Sequence, residues 1–172
     1  YGLYSEGFDR LWVKHLLDTF QLPFIFGNNQ VAFFGLLDAA SILLSIAATR
    51  LAEKRIDTSQ PRAIGRAMLG ITGGIAVSIV AFALAPFLGL AIGLYILISA
   101  LRDVRSPLTD AWVNQRLDSE VRATILSMSS QVDAVGQIAG GPVIGLVANA
   151  VSVPLAMAIS GTLLTPALPL VA

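Results

Sequence analysis

Apolar residues run along this chain in long blocks, and the polar residues gather between the blocks. Val31 to Thr49 carries one charge, Asp38; Ala67 to Leu101 carries none; Ala123 to Ala172 carries one, Asp133. A bilayer core of about 30 Å is crossed by roughly 20 helical residues at 1.5 Å rise each. By that measure the first block predicts one crossing. Each of the other two is long enough for a pair, divided by turn signals at "APFLGL" around Pro86 and Gly89 and at "ANAVSVP" from Ala148 to Pro154. Five spans follow.

The opening stretch, "YGLYSEGFDRLWVKHLLDTF", has a different pattern. Glu6, Arg10, Lys14 and Asp18 recur at four-residue steps, while Phe8, Leu11, Trp12 and Leu16 lie toward the other side. This predicts an amphipathic helix, either lying in the membrane interface or forming the end of a sixth span whose charged face looks into a protein interior. The chain opens at Tyr1 without a basic n-region, so no signal peptide is expected and the first helix is expected to lack its beginning.

Charge orients these elements. The second connection holds Arg50, Lys54, Arg55, Arg62 and Arg66, and the fourth holds Arg102, Arg105, Arg116 and Arg122, whereas the first, third and fifth hold no Lys or Arg. Alternate connections lie on opposite sides of a membrane, and basic ones favour the cytoplasm. The expected architecture is all-α, a polytopic six-helix membrane bundle. Its helices cover about residues 1–20, 31–50, 66–86, 88–104, 121–147 and 152–171, with cytoplasmic loops at about 51–65 and 105–120.

Composition narrows the function classes. Of 172 residues, 55% are hydrophobic and 13% charged, with 11 basic and 11 acidic side chains; the mean hydropathy is +0.76. So few charges are too few to cover a water-soluble fold of this size. Zero net charge gives no sustained basic surface for nucleic acid. The absence of cysteine and the single histidine, His15, leave no thiolate or histidine cluster for a metal, no cofactor motif is present, and no nucleophile with a nearby base suggests an enzyme.

Six helices with two basic inner connections suggest half of a pseudo-symmetric carrier. The stretches "YSEGFDRLW" (Tyr4 to Trp12), "ATRLAEKR" (Ala48 to Arg55), "SPLTDAWVNQRLDSEVRATILS" (Ser106 to Ser127) and "GQIAGGPVIG" (Gly136 to Gly145) resemble the major facilitator superfamily, in particular the C-terminal six-helix half of a bacterial member of the drug-efflux type. The resemblance covers essentially the whole chain and implies helices seven to twelve of a twelve-helix carrier. It further implies a missing N-terminal six-helix half as partner, a multi-pass location in the inner cell membrane, and proton-coupled efflux of a small solute by alternating access. The superfamily's inner-loop signature survives in "TRLAEKRID" in decayed form, with Thr49 and Ile56 at its glycine positions and Glu53 and Lys54 at its Asp-Arg. A different class remains open beside it, a non-transporting six-helix membrane assembly subunit or remnant.

Polar groups inside the apolar blocks are the candidate chemistry, because an ionisable side chain in hydrocarbon is costly. Asp133 shares a helix face with Ser130 and Gln137 and lies roughly 16 Å past Arg122 along the helix axis, where desolvation favours proton uptake. Asp38 heads a polar stripe continued by Ser41, Ser45 and Thr49. Glu6, Asp9 and Arg10 are expected at a central cavity, with Glu6 and Arg10 paired within the helix. Arg50, Glu53 and Arg122 are candidates for the gate and its loops, with Asp118 or Glu120 as a partner for Arg122. A structural hydrogen bond is the alternative role for both Asp38 and Asp133. Trp112 is expected to anchor a short inner-loop helix starting at Ser106 and Pro107, and Pro142 to permit a bend.

Overall fold

A computed structural model describes residues 1–23, 29–116 and 119–171, and over these the protein is all-α. The helices are α1 (Gly2–Thr19), α2 (Gln30–Arg55), α3 (Pro61–Ala83), α4 (Leu88–Arg116), α5 (Ser119–Ala150) and α6 (Val153–Thr162), followed by a 3₁₀ turn (Thr165–Ala167) and the single-turn α7 (Leu168–Val171). Local chemistry sets their ends. The Asn29 side chain accepts from Ala32 N–H at 3.2 Å to start α2, and Ser152 accepts from Leu155 N–H at 3.3 Å to start α6. Pro61 in the first turn of α3 gives up an N–H that has no helical partner there.

The helices run up and down. The C-terminal end of α1 meets the C-terminal end of α3, where His15 packs on Phe82, and the start of α1 meets the later part of α4, where Arg105 lies over the Tyr1 ring. In section, α1, α5 and α6 form one triangle, α3 packs between α4 and α6, and α2 packs on α4. The face of the bundle away from α3 and α6 is therefore built by α2, α4, α1 and α5.

Tyr4, Phe8, Leu11 and Leu16 of α1 are buried together with Ile75, Ile79 and Phe82 of α3, Tyr95 and Ile98 of α4, and Met157 of α6. The amphipathic pattern of α1 thus buries its aromatic side inside the bundle, not along an interface. A second, smaller cluster of Ile64, Met68, Val104 and Leu108 has Ile56 and Trp112 against it and is joined to the first through half-buried Ile71.

Several boundaries differ from the sequence-based expectation. Residues 51–55 continue α2, and α3 begins at Pro61, so the first expected loop shrinks to residues 56–60. The expected loop at 105–120 is largely helix, because α4 continues through Pro107 to Arg116. Proline removes one backbone hydrogen bond, but Val104 and Leu108 on either side of it are buried against Ile64 and Met68, and that burial carries the helix across. Trp112 belongs to this continuous helix and packs on the same cluster. The last expected helix, 152–171, breaks after Thr162, since Pro166 and Pro169 supply no N–H to continue an α-helical ladder. Ala83 ends α3 and Leu88 begins α4, close to the turn expected at Pro86.

Among the described residues two helices combine the length and apolarity of a membrane crossing, α2 with mean hydropathy 2.1 and α3 with 1.7 over their best 18 residues. The others fall short for identifiable reasons. Charges fill α1 and the second half of α4, Asp133, Gln137 and several glycines dilute α5, and α6 is 10 residues long.

Candidate functional site

Polar side chains collect on the face made by α2, α4, α1 and α5, in three neighbouring grooves. One groove, of about 340 Å³, is lined by Asp38, Ser41, Ile42, Tyr95, Ser99, Arg102 and Asp103. Asp38 reaches across from α2 to α4, where the Tyr95 hydroxyl donates to its Oδ1 at 2.5 Å. Ser41, one turn on, donates to the Asp38 backbone carbonyl at 2.8 Å. The Tyr95 ring stacks on Trp12 with centroids 4.3 Å apart, and Trp12 meets Phe34 edge to face at 5.5 Å. An aromatic wall drawn from α1, α2 and α4 thus fixes the donor that holds Asp38.

Arg102, at the edge of this groove, makes a bidentate contact with Asp9 of α1, Nη1 donating to Oδ1 at 2.5 Å and Nη2 to Oδ2 at 2.9 Å. Parallel donation of this kind is geometrically selective and stronger than a single contact. It joins α1 to α4 in the middle of the open face. Asp9 is therefore separated in role from its neighbours Glu6 and Arg10, which pair with each other along α1.

The Glu6 and Arg10 pair lies in a second groove, of about 610 Å³, with Gln137, Ile138, Gly141 and Pro142 of α5. A side chain at Gly141 would come within 3.3 Å of Glu6 Oε1, so this glycine leaves the room in which the pair rests. The third groove, of about 380 Å³, continues from Asp38 along the same side of α2 past Ser45, Ile46 and Thr49 to Arg50 and Glu53, with Asp103 opposite. The polar stripe of α2 is thereby placed, and Ser45 is a buried hydroxyl in it with no hydrogen-bond partner among the described residues.

The structure gathers Glu6, Arg10 and Gln137 in one place, and Asp38, Arg50 and Glu53 along another. Asp133 is not among the lining residues of these three grooves. Its Oδ1 accepts from Gly2 N–H at 3.1 Å and lies 3.2 Å from the Tyr1 backbone nitrogen, at a close crossing of α1 and α5. Its carboxylate thus meets α1 backbone and not the Gln137 groove. Arg122 is half-buried in the first turn of α5, and its proposed partner Asp118 lies outside the described residues. His15 is fully buried; its Nε2 donates to the Phe82 carbonyl at 3.2 Å and its Nδ1 accepts from Thr19 at 3.3 Å, a packed structural ring.

Tyr95 and Arg102 are site residues that sequence reasoning did not assign. Tyr95 is the only tyrosine within the uncharged block from Ala67 to Leu101, a polar handle where periodicity shows only apolar fill. Arg102 reads as one of four loop cations until the continuation of α4 places it on the open face. Among the described residues no group of three His, Asp or Glu side chains comes together to hold a metal. Compared with protein-family models, curated proteins and solved structures, the chain matches none of them.

Proposed function

We propose that this bundle is embedded in a lipid bilayer and forms the C-terminal half of a secondary transporter resembling the major facilitator superfamily, moving a small solute by alternating access coupled to protons. The observation that carries the reading is α2. Of the two described helices long and apolar enough to cross a membrane it has the higher mean hydropathy, 2.1 over its best 18 residues, yet only 17% of those residues are buried within the chain. Leu43 is 69% exposed, and Ile42, Leu44 and Ile46 beside it are also uncovered. Such a surface in water costs roughly 25 cal/mol for each Å² of apolar area left wet, whereas hydrocarbon or a second helical half covers it. The exposed side of α5, including Ile138 at 76%, asks for the same cover. Between these two helices lie the paired charges of the grooves, arranged as a transporter half would present them to its counterpart.

In this reading Asp38, held by Tyr95, and the Glu6 and Arg10 pair face the solute pathway, and Asp133 exchanges protons at the crossing of α1 and α5. Arg50, Glu53 and Arg122 belong to the cytoplasmic side. The second reading, a non-transporting membrane subunit, draws on the same uncovered apolar faces, which a protein partner also satisfies. The native size of the product separates them, since half a cavity without a second six-helix unit cannot alternate.

The chain has no cysteine, so single cysteines report topology cleanly. Ser59→Cys should react with an impermeant thiol reagent only from the cytoplasmic side and Phe87→Cys only from the outer side. Labelling of Ser59→Cys in intact cells, or a monodisperse particle in water without detergent, would overturn the membrane reading. In the full-length carrier, Asp133→Asn should abolish proton-driven transport, and unchanged transport at every pH would remove Asp133 from the coupling role.

A further inference from the structure

Nine of the eleven Lys and Arg side chains, all among the described residues, fall into two kinds. Arg10 pairs with Glu6, Lys14 with Asp18 and Arg102 with Asp9, and Arg105 sits 3.7 Å over the Tyr1 ring. Arg50, Lys54, Arg55, Arg62 and Arg66, at the end of α2 and the start of α3, are all exposed, and among the described residues none of these makes an ion pair, a side-chain hydrogen bond or a ring contact. The acids nearby do not neutralise them. Asp57 is engaged by the Ser59 N–H at 3.0 Å, the Ser59 hydroxyl at 2.6 Å and the Gln60 amide at 2.7 Å, and Glu53 is exposed without an ion pair. Five cations against two acids leave an excess of three positive charges between residues 50 and 66.

This charge is displayed on a folded platform. Residues 56–60 are all that separate α2 from α3, and beneath them Ile64 and Met68 are buried against Val104 and Leu108, with Ala52 and Ile56 packed alongside. Directly along α2 from these cations is the uncovered wall of Leu43, Leu44 and Leu51. Exposed hydrocarbon adjoining unpaired cations is complementary to an amphiphile with an anionic head. An acidic protein loop or a nucleic acid would match the charge and leave the wall wet.

We infer that the α2–α3 turn is a binding site for anionic phospholipid, with the headgroup phosphate against Lys54, Arg55, Arg62 and Arg66 and the acyl chains along the exposed side of α2. The inference rests on the membrane reading above. Basic residues at a membrane surface attract anionic lipid, and the attraction falls with ionic strength.

The chain is placed in vesicles of phosphatidylcholine, alone or mixed with phosphatidylglycerol, and its thermal stability and retained lipid are measured. Phosphatidylglycerol should raise the melting temperature and co-purify, and salt should weaken both effects. The variant carrying Lys54→Gln, Arg55→Gln, Arg62→Gln and Arg66→Gln should bind phosphatidylglycerol about tenfold more weakly or worse, while Lys14→Gln, a cation at the other end of the bundle, should bind it as the unaltered chain does. Equal behaviour of the unaltered chain in both lipids, a phosphatidylglycerol response indifferent to salt, or an undiminished response in the fourfold variant overturns the inference. So does equal stabilisation by soluble glycerol 3-phosphate, which would make the headgroup alone the ligand. The salt dependence of the unaltered chain decides the matter even where the fourfold variant does not fold. A chain that enters neither vesicle overturns the membrane reading and this inference with it; one that enters both without preference overturns this inference alone.

Discussion

Single side chains on the open face hold one another through contacts whose removal has calculable effects. Tyr95→Phe deletes the donor at 2.5 Å from Asp38 Oδ1 and leaves a half-buried carboxylate short of a partner, which costs about 1 to 3 kcal/mol. The expected result is a lower melting temperature that Asp38→Asn does not lower further, read by thermal denaturation of the two single variants and the double. The Asp9 and Arg102 contact spans two helices but is half open to solvent, so its coupling in a double-mutant cycle of Asp9→Asn and Arg102→Gln should be smaller, about 1 kcal/mol. Asp57, in the exposed α2–α3 turn, is held below the usual carboxylate range by donation from the Ser59 hydroxyl, then from the Ser59 N–H and from Gln60. A depressed folded value means that this turn is stabilised at pH above the ordinary carboxylate value of about 3.9 and loses that support as pH falls through the folded one. Protection of the Ser59 amide, taken relative to its intrinsic exchange rate at each pH, should therefore fall in acid, and Asp57→Asn should remove that pH dependence of protection.

Close approach and burial decide how the helices pack. A Cβ at Gly140 would lie 2.8 Å from the Leu3 carbonyl oxygen and 3.3 Å from Leu3 Cα, so Gly140→Val forces α5 away from α1 and should cost about 1 to 3 kcal/mol or more. Gly93 of α4 has nothing within 4 Å of its missing Cβ. Gly93→Ala should leave stability unchanged or raise it by up to about 1 kcal/mol through helix propensity, and the pair of melting curves tests the contrast. Pro107→Ala restores an N–H one turn beyond Asp103 in the continuous part of α4, and helical content and stability should both increase. These elements also mark what the sequence can and cannot tell. The blocks that became α2 and α3, and the turn between α3 and α4, are legible because long apolar runs and Pro86 are local signals. The passage of α4 through Pro107 is not, because what overrides the proline is burial of Val104 and Leu108 against a helix some 40 residues earlier in the chain. Likewise the stripe from Asp38 to Thr49 is written in helical spacing, whereas the partner of Asp38 is a tyrosine 57 positions away in a run that periodicity reads as plain apolar fill.

At the scale of the whole molecule, α2 is held chiefly by α4, while α1, α5 and α6 brace one another. The apolar outer side of α2 is the part most in need of surroundings, and the proposed transporter half and the proposed lipid site would each supply some. The two hydrophobic clusters make unequal halves of the bundle. Ile79→Ala, in the larger cluster, should lower the global transition, whereas Met68→Ala, in the smaller, should act first at the α2–α3 turn; both remove buried side chains, at about 2 to 5 kcal/mol each. Hydrogen exchange over residues 50–70 against residues 75–98 separates the two outcomes. Ile64, Met68, Val104 and Leu108 form a buried cluster of their own, joined to the main one through half-buried Ile71, so the core narrows toward the α2–α3 turn. Heat or detergent should loosen the end with the basic turn while the aromatic centre around Phe8, Phe82 and Tyr95 stays shut, so the protein is expected to unzip from one pole.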